Sequence, residues 1–119
     1  MATILLIEDD VLLADCYVRW LASAGHKIQH VPDAQSAINA ADEHRPDLIL
    51  LDMLLPGANG MQVLHILQSH ADLATIPVVV CSNALPDPAP NLSAYGVKNV
   101  VNKTTLTRPV LCAAIAGAI

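Results

Sequence analysis

The stretch Pro46-Asp47-Leu48-Ile49-Leu50-Leu51-Asp52 decides how this chain is built. Four large aliphatic residues in a row suit a strand buried on both faces, as in a parallel sheet covered by helices. The acid closing the run then sits at the sheet's carboxyl edge, where open α/β sheets bind their ligands. A second run, Thr3-Ile4-Leu5-Leu6-Ile7, also ends in acids: Glu8, Asp9 and Asp10. Two buried strands that deliver carboxylates to the same edge predict one acidic pocket.

Outward from these runs the pattern alternates strand with helix. The first strand covers about Thr3 to Glu8. A helix from about Val11 to Ala24 follows, with Leu13, Tyr17, Trp20, Leu21 and Ala24 on one stripe. Gly25 stands where a left-handed residue ends a helix. The second strand, His26 to Val31, is short and mixed in polarity, which places it near a sheet edge. Asp33 caps a second helix that runs to about His44, with Ala37, Ile38 and Ala41 inward. The third strand is Leu48 to Asp52. A loop through Pro56, Gly57 and Gly60 leads to a third helix from Met61, with Val63, Leu64 and Leu67 on its apolar face. The fourth strand is Val78 to Ser82 and the fifth Val97 to Asn102. Thr107 caps a last helix with Pro109 in its first turn, where a missing N–H costs little; Val110, Leu111, Ala114, Ile115 and Ala118 form its stripe. Between the fourth and fifth strands stands Leu85-Pro86-Asp87-Pro88-Ala89-Pro90, which no helix interior accommodates. Only a short helix, about Asn91 to Tyr95, fits there. The prediction is an α/β fold: a doubly wound, five-stranded parallel sheet with helices on both faces and a fourth helix that is short or irregular.

Bulk properties narrow the function. A length of 119 residues fits one domain, 1–119, and 54% hydrophobic residues supply a sizeable core. Aromatic residues make up 3% and Phe is absent, so Leu, Ile, Val and Ala fill that core. A net charge of -5 argues against direct nucleic-acid binding through phosphate neutralisation. Cys16, Cys81 and Cys112 form no C-x-x-C pair and lie in apolar segments, as expected of reduced, buried thiols in a cytoplasmic protein. No apolar run spans a membrane without a charge or proline, and no basic region precedes the first one, so neither membrane association nor a signal peptide is expected.

The predicted carboxyl edge collects Glu8 and Asp9, Asp52, Ser82 and Lys103. Carboxylates gathered in one cleft repel one another unless a cation sits among them, and a hard, oxygen-preferring ion such as Mg²⁺ suits the site. A nucleophilic carboxylate, a metal, an ammonium and a hydroxyl are the parts needed for phosphoryl transfer to Asp52.

Ile4-Leu5-Leu6-Ile7-Glu8-Asp9-Asp10, Pro46 through Met53, Leu55-Pro56, Asn59-Gly60, Ile76-Pro77-Val78-Val79-Val80-Cys81-Ser82 and Lys103 follow in this order. From Ile4 to Ile115 the chain thereby resembles the receiver domains of two-component response regulators. The resemblance implies a flavodoxin-like fold and a phosphoacceptor, Asp52, that takes a phosphoryl group from a phosphohistidine. It implies that Glu8, Asp9, Asp52 and the backbone carbonyl of Leu54 bind Mg²⁺. Ser82 corresponds to the hydroxyl residue that bonds the phosphoryl group, and Lys103 to the lysine that pairs with its oxygen. The implied partner is a sensor histidine kinase or histidine phosphotransfer protein. An output domain, a protein partner and a homodimer are further partners the resemblance admits. Beyond accepting and losing its own phosphoryl group, such a domain is not an enzyme.

Three positions depart from the family pattern. Thr104 follows Lys103 where the family has proline across a cis bond; a cis bond without proline costs about 2.5–4 kcal/mol, which predicts a trans bond and a reshaped loop. Val100 replaces the usual aromatic switch residue. Asn83 replaces a small residue beside Asp52. With Pro86, Pro88 and Pro90, these changes gather on the family's output face. They motivate a rival reading, a pseudo-receiver that keeps the fold as an interaction module without phosphorylation. A third reading, an aspartate-nucleophile phosphatase, disagrees with Leu54 at the position two after Asp52, where a second aspartate is needed.

Other residues carry plainer readings. Asp10 reads as a helix cap rather than a metal ligand. His26, His30, His44, His65 and His70 lack ligand spacing and read as surface residues. Cys81 reads as a buried thiol, and Tyr17 and Trp20 as packing. The last helix, which reaches Ile119 without a polar tail, slightly favours a domain excised from a longer regulator over a stand-alone receiver.

Overall fold

A computed structural model describes residues 2–55, 58–71, 73–82 and 92–119. In chain order the elements are β1 (Thr3–Ile7), α1 (Val11–Ser23), β2 (Lys27–Val31), α2 (Ala34–Glu43), β3 (Leu48–Asp52), β4 (Leu54–Leu55), β5 (Ala58–Asn59), α3 (Gly60–Ser69), β6 (Val78–Ser82), β7 (Val97–Asn102) and α4 (Arg108–Ala118). A 3₁₀ turn, Leu92–Tyr95, precedes β7. The expected short fourth helix is this turn; Asn83, Pro86, Pro88, Pro90 and Asn91 lie outside the described residues.

Five strands form one sheet in the order β2-β1-β3-β6-β7, each pair parallel. The chain moves outward from β1 to the edge strand β2, then crosses to β3 and proceeds the other way. The order reverses between β1 and β3, and a crevice opens at the carboxyl ends of strands at such a point. Glu8 follows β1 there and Asp52 ends β3.

Alternation of side chains along each strand divides the core in two. Leu5, Ile7, Ile49, Leu51, Val78 and Val80 pack with Ala37, Ala41, Val63, Leu64 and Leu67 from α2 and α3. Ile4, Leu6, Leu48, Leu50, Val79 and Cys81 pack on the other face with Tyr17, Leu21, Leu111 and Ile115 from α1 and α4. All residues of β3 are buried, which accounts for its unbroken apolar sequence. β2 shows the opposite pattern, with one buried residue, as fits a sheet edge.

The helices start and stop for local reasons. Asp10 caps α1, accepting from the N–H groups of Leu12 and Leu13 at 3.0 and 3.2 Å. Asp33 does the same for α2 through Ser36 N–H at 2.8 Å, and Thr107 for α4 through Val110 N–H at 3.4 Å. Gly25, at φ +91°, turns the chain out of α1 in a conformation that side chains with a Cβ resist. Three expectations need correction. The loop after β3 carries two short antiparallel strands, β4 and β5, so Asn59 belongs to a strand. α3 starts at Gly60, one residue earlier than expected. Val110 is 49% exposed rather than inward, because the α4 stripe that meets the sheet is Leu111, Ala114 and Ile115.

Candidate functional site

The side chains of the site arrive at the ends of four sheet strands, Glu8 and Asp9 both following β1. Glu8 follows β1, and its own N–H continues the ladder by donating to the Val31 carbonyl at 3.1 Å. Asp52 is the last residue of β3 and stands opposite Cys81 of β6, so Ser82, the next residue, closes β6 beside it. Lys103 follows β7 and donates its backbone N–H to the Ser82 carbonyl at 3.0 Å. The sheet thus holds the backbone on both sides of Asp52.

The side chains converge. Lys103 Nζ lies 2.9 Å from Asp52 Oδ2 and 3.0 Å from Glu8 Oε1. Glu8 is fully buried, Asp52 is 4% exposed and Ser82 7%. Asp9 sits at the solvent side, and carboxylate oxygens of Glu8, Asp9 and Asp52 all lie within 4.8 Å of one another. Lys103 meets Asp52 as a hydrogen-bonded ion pair. It also forms an ion pair with the buried Glu8 Oε1. The other oxygen, Oε2, accepts from Asp10 N–H at a long 3.4 Å.

The electrostatics follow from this geometry. Burial, reinforced by the neighbouring Asp52, pushes the Glu8 carboxyl up to about 7. Burial disfavours the Lys103 ammonium, but the bonds to Asp52 and Glu8 outweigh it and hold the charged form above the ordinary lysine range. Three carboxylates against one ammonium leave two negative charges unbalanced when all are ionised. A convergent set of carboxylate oxygens, two of its three residues buried and carrying more negative charge than one ammonium balances, fits a divalent cation such as Mg²⁺. Leu54, whose carbonyl was expected to join this set, opens β4 directly beyond Asp52 and Met53.

The structure therefore brings Glu8, Asp9, Asp52 and Lys103 into contact range and puts Ser82 on the adjoining strand end. Asp10 turns to α1 as its cap. Cys81 is buried, and burial with Glu8 and Asp52 nearby pushes its thiol up to about 12, which keeps it protonated and unreactive.

Two neighbours escaped the sequence reading. His30 is exposed, as expected, but its Nε2 donates to the backbone carbonyl of Glu8 at 2.6 Å and so ties the edge strand to the acidic turn. Its position in β2, opposite Leu6, gives no sign of that reach in the sequence. Tyr17 is buried with its hydroxyl unpartnered, close enough to the site for Glu8, Asp52 and Lys103 to act on its charge; burial raises the phenol above its usual range. Its place on an apolar stripe concealed the polar end.

Comparison with known proteins agrees with this arrangement. A family model described as response regulator receiver domain matches residues 4–116. The probable transcriptional regulatory protein TcrX of Mycobacterium tuberculosis is 32% identical over 109 residues, covering 92% of this chain and 47% of that protein. The chain thus spans about half the length of this curated relative. The signal receiver domain of a histidine kinase from Syntrophus aciditrophicus superposes with a TM-score of 0.86 at 26% identity, over 98% of this chain and 88% of that one. The receiver domain of a sensor histidine kinase from Pseudomonas aeruginosa, described with a magnesium ion coordinated in its active site cleft, has a TM-score of 0.87 at 24% identity, over 98% and 96% of the two chains. Among the described residues, no helix is long and apolar enough to cross a membrane.

Proposed function

The chain belongs to the response regulator receiver domain family, and from that premise we propose that it is a phosphorylation-controlled switch whose phosphoacceptor is Asp52. The phosphoryl group comes from a phosphohistidine on a sensor kinase or phosphotransfer protein. An Asp52 oxygen attacks phosphorus, the P–N bond breaks, and the electron pair stays with the departing imidazole. The observation that carries this reading is the Lys103 ammonium held between Asp52 and Glu8 at 2.9 and 3.0 Å.

Glu8, Asp9, Asp52 and the Leu54 carbonyl would hold Mg²⁺, which when bound draws negative charge off the phosphoryl oxygens. Lys103 keeps one oxygen of Asp52 occupied and supplies a fixed positive charge where charge accumulates. The Ser82 hydroxyl, on the adjoining strand end, donates to the phosphoryl group and draws its loop inward. Hydrolysis of the acyl phosphate resets the switch, so the domain turns over no substrate beyond its own modification.

The phosphorylated state biases the segments after β6 and β7 toward a second arrangement. Residues 1–119 form the receiver. Because the curated relative is about twice as long, the output is a further domain or a protein partner; this domain itself, at net charge -5, does not bind nucleic acid. The chain acts in the cytoplasm, where its kinase partners present phosphohistidine.

Intact mass after incubation with acetyl phosphate tests the proposal. One added phosphoryl group is expected with Mg²⁺, none with a chelator, and none in Asp52→Asn. An unmodified wild-type mass with Mg²⁺ present overturns it and leaves an interaction module.

A further inference from the structure

An ammonium at the end of four rotatable bonds reaches a fixed point only if the backbone carrying it is fixed. Lys103 is held upstream by its N–H bond to the Ser82 carbonyl at 3.0 Å. Downstream, neither proline nor glycine sets the chain direction; Thr104 and Thr105 follow. The turn is closed instead by side chains. Asn102 Oδ1 accepts from Thr104 N–H at 2.9 Å and from the Thr104 hydroxyl at 2.7 Å. The Thr105 N–H adds a bond to the Asn102 carbonyl at 3.3 Å. Asparagine is suited to this role because its amide oxygen imitates a backbone acceptor two residues ahead.

The residue before Lys103 and the residue after it are thereby tied together through one oxygen atom. Asn102 and Thr104 are both exposed, so their side chains contribute nothing to the core, and losing either would leave no buried polar group behind. What they do constrain is the arc of backbone from which the Lys103 side chain departs. We infer that Asn102 and Thr104 are positioning residues for Lys103, a side-chain clamp that aims the ammonium at Asp52 and Glu8. The reactive consequence rests on the proposed function; the aiming of the ammonium does not.

Two readouts on the intact chain separate those levels. The first is the Lys103 Nζ resonance in ¹⁵N-labelled protein, assigned by its loss in Lys103→Arg. An ammonium held by two carboxylates exchanges protons slowly and stands apart from the other lysines. The second is the rate of phosphorylation by acetyl phosphate with Mg²⁺. Asn102→Ala and Thr104→Val are expected to broaden or lose the resonance and to slow phosphorylation by about ten-fold or more, since small misplacements near a reacting centre cost rates of that order. Thr104→Ser, which keeps both donors, is expected to retain the signal and the rate. Melting temperatures near wild type for all three would show that the domain remains folded. A wild-type resonance in both Asn102→Ala and Thr104→Val overturns the inference, and so does a Thr104→Ser variant as impaired as Thr104→Val. If the wild type takes up no phosphoryl group, the proposed function fails alone, and the resonance still decides whether the clamp aims Lys103.

Discussion

Glu8 shows what one carboxylate does when a strand carries it into the core. Its oxygen Oε1 is buried against the Lys103 ammonium, and burial with Asp52 beside it nevertheless pushes its titration up to about 7. An unfolded glutamate titrates near the ordinary value of 4.5. Between those limits the folded chain binds a proton that the unfolded chain has released. The stabilising contribution of this group is therefore complete below pH 4.5 and disappears as pH rises through 7. With a chelator present, stability measured by urea unfolding is expected to fall by about 1–3 kcal/mol from pH 5 to pH 8. Glu8→Gln should flatten that slope. A profile unchanged by the substitution would mean that another group sets it. The lysine does not, since Asp52 and Glu8 keep it charged throughout this range.

At the scale of single elements, the local signals were the most readable. Asp10, Asp33 and Thr107 each cap the helix their sequence positions indicate, because a short oxygen-bearing side chain before an apolar stripe serves the helix's free N–H groups directly. Asp10 is the informative case, since it follows two acids that do face the site. Its Oδ1 is spent on Leu12 and Leu13. Asp10→Ala is expected to cost about 1 kcal/mol of stability by denaturant unfolding and to leave acetyl phosphate uptake at the wild-type rate. A large loss of uptake with stability preserved would place Asp10 in the site instead. The paired strands β4 and β5 were not readable, because strands of two residues carry no period. Val110 was misread for a related reason. An apolar residue at the first turn of α4 matches the helical spacing, yet the helix meets the sheet one residue further on.

At the scale of the whole molecule, the edge place of the second strand followed from sequence because burial grades the strands. β3 and β6 are buried throughout and lie inside, whereas β2 is mostly exposed and lies at the edge. The convergence of Glu8, Asp9, Asp52 and Lys103 followed in turn, since parallel strands deliver their last residues to one rim. The reach of side chains across that rim was not encoded in any spacing. His30 holding the Glu8 carbonyl across 22 positions of sequence is a product of the fold. The same convergence gathers negative charge at the carboxyl ends of the paired strands β1 and β3. Three carboxylates face one ammonium, so a divalent ion bound by the folded chain and not by the unfolded one must stabilise the entire sheet. At free Mg²⁺ a hundredfold above its Kd the gain is about 2.7 kcal/mol. For a domain of this size that raises Tm on the order of 10 °C. Scanning calorimetry at pH 8 across a Mg²⁺ titration checks it. Tm should climb with the logarithm of Mg²⁺ concentration once the site is saturated, whereas Asp52→Asn and Glu8→Gln should respond at much higher concentrations. A Tm indifferent to Mg²⁺ in the wild type would mean that the three carboxylates do not form a divalent-cation site.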